Sequence, residues 1–310
     1  MNELCALIDR HCPSNITPTA IPRLTLSRSN TATDLAPAIY TPLFCVIAQG
    51  RKRIFLGGES FSYDPTSYLV ASADLPVTGQ VLEGPALGLM LALNAAIIAE
   101  LLLEMKPAST DRAPLKALAV SSLEGDLLDP VLRLLRLLDQ PRDIPLLAPL
   151  IEREILYRLL LGSRSEMLRQ FALPSSDLSR VSRAINVIRS RFREPLRVEE
   201  LAQLAGMSVP SFNRHFRAVT AMSPLQFQKK IRLQEARRLL LTQHADAASI
   251  GFDVGYESPS QFSREYRRLF GAPPGRDTKR LHDALSARPV ATAAPPAENY
   301  LGESRRVALL

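Results

Sequence analysis

Histidine is scarce in this chain and unevenly placed: there are four, His11, His215, His244 and His282, and none between residues 12 and 214. Metal-dependent oxygenase sites lean on clustered imidazoles and a carboxylate. The amino-terminal half cannot build a multi-histidine site from its own strands, which argues against catalysis of that kind and against a bound cofactor or metal. Cysteine is rarer still. Cys5, Cys12 and Cys45 form no CxxC pair, which speaks against a disulfide scaffold and against a cysteine-built zinc site. Long apolar runs are missing too. The most apolar stretch, Pro85 to Ala99, contains Asn94 and is only 15 residues long, whereas a spanning helix needs roughly 20; buried core is the expectation, not a membrane span. Met1-Asn2-Glu3 has no basic region leading into an apolar core, so no secretory signal is expected. The chain reads as a cytoplasmic protein.

What is present is basic charge, concentrated at one end. The 310 residues suggest two folding units, and 46% hydrophobic with 22% charged residues is a globular composition. The net charge is +7. From Leu178 to His282 there are 19 Lys+Arg against 9 Asp+Glu, a net of +10, and the remainder of the chain carries −3. A basic unit joined to a slightly acidic one points to a nucleic-acid-binding segment with a second, different domain. Pro174-Ser175-Ser176-Asp177 breaks an apolar helical stretch and reads as the linker. The tail from Ala287, with Pro289, Pro295 and Pro296 among small residues, is expected to be disordered.

The amino-terminal half begins with short β runs. Phe44–Ala48, Arg51–Leu56, Ser60–Tyr63 and Tyr68–Ala71 are separated by turn signals at Gly50 and Gly57-Gly58, and Val81 onward continues the series after the breakers Pro76 and Gly79. This spacing predicts a small sandwich or barrel. Helical periodicity takes over after Asn94. Asp126–Leu138 places Leu127, Val131, Leu134, Leu135 and Leu138 on one face, and Leu146–Leu161 does the same with Leu147, Leu150, Ile151, Ile155 and Leu159, with Gly162 as a stop. Such a helical hairpin can cap the barrel or pair with a second copy, and a homodimer is expected.

The basic segment contains an internal repeat. At an offset of 50, Ser208 aligns with Ser258, Phe212 with Phe262, Arg214 with Arg264, Phe216 with Tyr266, Arg217 with Arg267 and Pro224 with Pro274. At an offset of 49, Leu201 aligns with Ile250, Ala205 with Val254 and Gly206 with Gly255. Each copy reads helix, glycine turn, helix. Gly206 suits a left-handed turn, Ser208 an N-cap and Pro210 a first helical turn. Phe212 and Phe216 then pin the second helix to the first, and Phe262 and Tyr266 do so in the second copy; these rings are core, not stacking platforms for bases. That is a helix-turn-helix, whose second helix enters the major groove, where Arg suits guanine and Asn adenine. Pro224–Leu241 connects the units without internal Gly or Pro and can fix them about 34 Å apart for successive major grooves. Arg237 and Arg238 on it fit a solvated face or phosphate contacts equally. His215 reads as structural or solvated, and Cys45 as a small buried residue in a strand rather than a redox sensor.

Residues 178–282 resemble the tandem helix-turn-helix domain of AraC/XylS-type transcriptional regulators, through "LAQLAGMS", "RHF", "MSPLQFQKKIRLQEARRLL" and "VGYESPSQFSREYRRLFGAPP". The first half resembles the effector-side domain of one subgroup, through "IYTPLFCVIAQGRKRIFLGG", "SYLVASADLPVTG" and "LLRLLDQPRDIPLLAPLIEREILYRLLLG". The resemblance implies an α+β fold with a cupin-like effector-side β-barrel domain over 1–110, a helical dimerisation region over 111–173, a linker at 174–177, the all-α DNA-binding domain over 178–282 and a tail at 283–310. It implies base contacts from Pro210, Asn213 and Arg214 in the first unit and from Ser260, Ser263 and Arg264 in the second. Phosphate contacts fall to Arg217, Arg267 and Arg268. The partners implied are double-stranded promoter or operator DNA, a small-molecule effector, a second copy of the chain, and RNA polymerase where binding activates. An effector-independent architectural DNA binder is the alternative. Two departures stand out: Gly251 replaces the usual Ala in the first helix of the second unit, and Gly84-Pro85-Ala86-Leu87 lacks the aromatic that more often follows Pro there, which affects the shape of any pocket. Helix-interior Gly costs roughly 0.5–1 kcal/mol against Ala, so the second unit is expected to be looser.

Overall fold

The computed structural model describes residues 1–105, 116–242 and 246–286. The tail expected to be disordered from Ala287 lies outside the described residues, as does His244. After α1 (Asn2–His11), eight strands form one antiparallel sheet: β1 (Ile16–Pro18), β2 (Leu24–Ser29), β3 (Ala36–Tyr40), β4 (Leu43–Leu56), β5 (Glu59–Tyr63), β6 (Ser67–Ala71), β7 (Leu75–Ala92) and β8 (Leu118–Ser122). The hydrogen-bonded path runs β1-β2-β7-β4-β6-β8, with β3 also on β7 and β5 also on β4.

The two long strands carry the architecture. Gly50 does not break β4, and Pro76 and Gly79 do not break β7. The chain bends instead. Register shifts between Ile47 and Lys52 mark bulges, and Gly50 sits among them at φ +82°. A Cβ at Gly50 would lie 2.5 Å from the Glu83 carbonyl oxygen, so only glycine fits where β4 and β7 crease together. Pro76 lies one residue inside the start of β7, where the missing N–H costs little. The sheet therefore folds into two halves, β4 and β7 contributing one end to each.

Alternation along β4 then divides the interior. Phe44, Val46 and Ala48 enter one core with α1, α2 (Ala95–Glu104), α3 (Gly125–Arg136) and α4 (Ile144–Leu161). Cys45, Ile47, Ile54 and Leu56 face the other. Asn94 starts α2 by accepting the Ala96 and Ile97 N–H groups through its side chain. All five apolar residues foreseen for α3 and its following turn are buried; each fully buried leucine or valine stabilises by about 1.5–3 kcal/mol. On α4, Ile151, Ile155 and Leu159 are buried, but Leu147 and Leu150 are exposed. The reason lies in the composition of α4, which is apolar nearly all round and so defines no unique inward stripe. The strand β8 was not anticipated; five residues opposite β6 are too short to show a period in a region otherwise helical.

After α5 (Ser165–Ala172), the chain turns through Pro174 into α6 (Asp177–Ser190). Asp177 already belongs to the helix. Ser176 caps it, its Oγ accepting from the Ser179 N–H at 3.0 Å and donating to the Gln170 carbonyl. Six further helices follow: α7 (Val198–Leu204), α8 (Val209–Thr220), α9 (Pro224–Thr242), α10 (Ala247–Asp253), α11 (Pro259–Phe270) and α12 (Pro274–Ser286). The apolar cluster on the second face of the sheet continues into Leu178, Val181 and Ile185 of α6 and Phe212 and Phe216 of α8. Polar contacts reinforce this junction: Arg189 pairs with Asp74, and Gln234 donates to the Val77 carbonyl at 3.0 Å. Burial raises the Asp74 carboxyl above its ordinary value, opposed by the Arg189 guanidinium.

Candidate nucleic-acid interface

The two units are built alike. In the first, α7 ends at Leu204 with Ala205 as its C-cap, and Gly206 takes φ +62°, letting the Met207 N–H return to the Ala202 carbonyl at 2.9 Å. In the second, Gly255 takes φ +93° and the Tyr256 N–H returns to the Gly251 carbonyl at 2.9 Å. Residue for residue, Gly251 occupies the place of Ala202. A Cβ there would meet the Phe262 ring at 3.0–3.1 Å, so the ring fills the room that alanine would use. The expected looseness is thus countered by packing at this position.

Each second helix starts at a serine and Pro in its first turn. Ser258 caps α11 by accepting the Gln261 N–H, whereas Ser208 holds the N-cap position of α8 without a side-chain cap bond. Phe212 and Phe216 pack in a tilted arrangement at 5.4 Å between centroids, and Phe216 meets Phe227 of α9 edge-on at 5.5 Å. Phe262 and Tyr266 repeat this at 5.6 Å, with Tyr256 and Phe270 alongside. All four foreseen rings are buried. Their burial turns the opposite faces outward. Pro210, Asn213, Arg214 and Arg217 are exposed on α8; Ser260, Arg264, Arg267 and Arg268 are exposed on α11, with Ser263 half-buried. Among the described residues no carboxylate pairs with Arg214, Arg217, Arg264, Arg267 or Arg268. His215 is largely buried, with Nε2 3.9 Å from Asp177.

The connecting helix α9 holds the units through residues that periodicity did not single out. Arg232 donates from Nε to the Phe192 carbonyl at 2.6 Å and from Nη1 to the Gly255 carbonyl at 2.7 Å. Its Nη2 reaches the Arg193 and Glu194 carbonyls at 3.1 and 3.0 Å. One guanidinium therefore ties the turn after α6 to the glycine turn of the second unit. Gln228, one turn earlier, donates to the Phe192 and Glu194 carbonyls. The visible signal was the polar pair at i, i+4 flanked by the buried Phe227 and Ile231. Arg237, read as solvated or phosphate-bound, is instead buried: it forms a bidentate pair with Asp277 of α12 at 2.8 and 3.0 Å and lies over the Phe270 ring. Tyr266 donates its hydroxyl to the same carboxylate at 2.8 Å, and burial together with that carboxylate pushes the phenol well above its ordinary range. Arg238 pairs with Glu235 at 2.7 Å.

Two family models match. Residues 20–167 match the AraC-type transcriptional regulator N-terminus, and residues 201–280 match a helix-turn-helix domain. The chain belongs to the AraC/XylS family of transcriptional regulators. It is 26% identical over 144 residues to the transcriptional regulator ArgR of Pseudomonas aeruginosa, covering 46% of this chain and 44% of that one. It is 38% identical over 84 residues to the transcriptional activator RclR of Escherichia coli, covering 27% and 30%. Each match thus spans less than half of the relative's length. The crystal structure of ToxT from Vibrio cholerae O395 shares the fold, with a TM-score of 0.50 at 11% identity over 83% of this chain and 99% of that one. These findings describe regulators, not enzymes.

Among the described residues no His/Cys/Asp/Glu cluster could hold a metal ion, and no helix is long and apolar enough to cross a membrane. Cys45 is buried with Sγ 3.8 Å from the Tyr63 hydroxyl, and burial raises its thiol above the ordinary range, so it stays a protonated thiol. Lys52 lies nearby, its Nζ donating to Ser27 Oγ at 3.2 Å, and burial lowers its pKa. The Gly84-Pro85 peptide is cis, at the crease of β7.

Proposed function

We propose that this protein is a sequence-specific DNA-binding transcriptional regulator whose two helix-turn-helix units read successive major grooves. The observation that carries the reading is the pair of equivalent units, each presenting unpaired arginines beside small polar groups on the outward face of its second helix, held together by Arg232. Base contacts fall to Pro210, Asn213 and Arg214 in α8 and to Ser260, Ser263 and Arg264 in α11. Arg217, Arg267 and Arg268 lie further along their helices, where each helix leaves the groove and phosphates come within reach. The DNA-binding domain spans residues 178–282. Residues 1–110 form the effector-side, cupin-like domain and 111–173 the dimerisation region.

The effector is a small molecule bound within the sheet region, where Tyr63, Cys45, Ser27 and Ser72 are buried and Tyr40 and Lys52 half-buried among apolar side chains. Dimerisation is supported by the exposed apolar row on α4: Leu146, Leu150, Tyr157 and Leu161 share a face that the other described residues leave uncovered. RNA polymerase is a further partner where binding activates, and the cytoplasm is the compartment such a regulator works in.

Selection of bound sites from random duplex DNA with the full chain tests the reading. The expected product is a site with two conserved blocks about one helical turn apart, bound with an affinity that falls steeply as salt rises. Absence of any enriched sequence would favour the architectural alternative, and absence of binding would overturn the DNA reading altogether.

A further inference from the structure

Beyond the two recognition helices, the second unit carries a basic concavity that the helix-turn-helix pattern does not account for. It encloses about 650 Å³ between the end of α11, the turn at Gly271-Ala272-Pro273, and one face of α12. Arg267 forms one wall; Arg276, Lys279 and Arg280 form the other, with Asp283 as the one carboxylate lining it.

The placement of these side chains follows from the packing. Asp277 is fully buried against Arg237 and Tyr266, which fixes the rotation of α12 about its axis. With Asp277 turned inward, residues 276, 279, 280 and 283 share a neighbouring, outward face at helical spacing, and Arg276, Lys279 and Arg280 are all exposed. Among the described residues Arg276 and Lys279 have no ion-pair partner, and Arg280 has only Asp34, 3.7 Å away across the junction with the amino-terminal region. Among the described residues Arg267, Arg276 and Lys279 are left without an ion-pair partner, and Asp283 is the one carboxylate lining the concavity. An anionic partner supplies what the fold does not.

The concavity is also continuous with the proposed DNA face. On α11, Ser260, Arg264 and Arg267 follow one another along a single exposed row. Seven residues of helix separate Ser260 from Arg267, about 10 Å at 1.5 Å per residue. A helix with its amino-terminal end in a groove about 12 Å wide brings its far end to the sugar-phosphate backbone at the groove edge. Arg267 stands there, and the α12 cations stand beyond it.

We propose that Arg276 and Lys279, together with Arg267, form a phosphate clamp that extends the DNA footprint outward from the second major groove. It adds affinity without reading sequence. The inference rests on the DNA-binding reading above, and the test separates the two. The R276Q/K279Q double variant of the full chain and the wild type are titrated on a selected operator between 50 and 200 mM salt. Each lost phosphate contact lowers the slope of log affinity against log salt by about 0.9. The double variant should lose up to about 1.8 of that slope, so that the advantage of the wild type shrinks roughly tenfold across the range, with the preferred sequence unchanged. A charge-conserving R276K/K279R variant should keep the slope, and circular dichroism should show all three equally folded. Should the double variant misfold, the single variants R276Q and K279Q each read about half of the effect. An unchanged slope in a folded variant overturns the clamp. If the slope is unchanged while binding to RNA polymerase falls, the surface serves an acidic protein partner instead, and the clamp is equally overturned. If the wild type shows no salt-dependent DNA binding, the DNA reading itself fails first.

Discussion

Arg214 and Arg217 differ by three residues and, on the reading proposed above, by task. Both are exposed on α8 opposite the buried Phe212 and Phe216. Arg214 lies beside Asn213 in the part of the helix proposed to meet base edges, its Nη2 3.5 Å from Ser211 Oγ. Arg217 is nearly a turn further on, toward the left-handed Ala221 that ends the helix. A lost bidentate base contact costs about 1–3 kcal/mol of discrimination at one position, whereas a lost phosphate contact weakens every sequence alike. Arg214→Ala should therefore flatten preference at one or two base pairs of the operator. Arg217→Ala should lower the salt slope by about 1 and leave the preferred site intact. A panel of single-base operator variants, titrated at two salt concentrations, distinguishes these outcomes from a uniform loss in both. The reading of Arg237 shows why such roles need the fold: a sequence places it on an amphipathic connecting helix, but only the approach of α12 shows that Asp277 has claimed it.

At the scale of elements, α9 decides whether two units behave as one reader. Arg232 satisfies carbonyls from both sides of the connection, and a hydrogen bond to a charged group contributes about 1.5–3 kcal/mol. Arg232→Met keeps much of the apolar stem but leaves those carbonyls without their donor. The domain should lose about 3 kcal/mol of stability, and affinity for an operator with both half-sites should fall toward that for a single half-site. Thermal denaturation and titration of half-site duplexes would measure each part; equal loss on full and half sites would show that Arg232 only stabilises. The helix-turn-helix elements were legible beforehand because local devices define them: a glycine that must take positive φ, a serine-proline start, aromatic residues four apart. The sheet was less legible. Gly50, Pro76 and Gly79 carry the same local signals as chain breaks, yet β4 and β7 pass through them, because tertiary pairing turns a break into a bulge or a bend. On α4, Leu147 and Leu150 could not be told from Ile151 and Ile155 by composition, since only the position of α3 and the sheet decides which side is inward. Arg232 was legible only in part: with Gln228 it makes a polar pair at i, i+4 on α9, but its partners are main-chain carbonyls 23 to 40 residues away, which side-chain patterning does not identify.

For the molecule as a whole, the basic and acidic portions that composition separates are docked in the structure, and the docking contains a charge pair with little access to water. Asp74 and Arg189 retain 12% and 19% of their side-chain exposure. Breaking a buried pair by removing one partner is costly because the other charge stays behind, typically by 3–5 kcal/mol. Arg189→Met should therefore weaken the junction by about 3 kcal/mol, and Asp74→Asn in the same chain should restore most of that loss. The pH dependence has a definite sign. Burial raises the folded Asp74 carboxyl above its ordinary value, so as pH falls the docked state takes up a proton before the undocked state does. Once the Arg189 guanidinium is gone, its opposing effect is gone too, and the carboxyl should rise further. The destabilisation of Arg189→Met should therefore be greatest at neutral pH and shrink on acidification through that range, while the double variant shows no such trend. Calorimetry from pH 7 to pH 5 would show the transition of the single variant converging on that of the double. A single-variant deficit that grows as pH falls would mean that Asp74 is not held unpaired in the docked state, and that the apolar contacts of Leu178, Val181 and Ile185 alone join the effector side to the DNA-binding side.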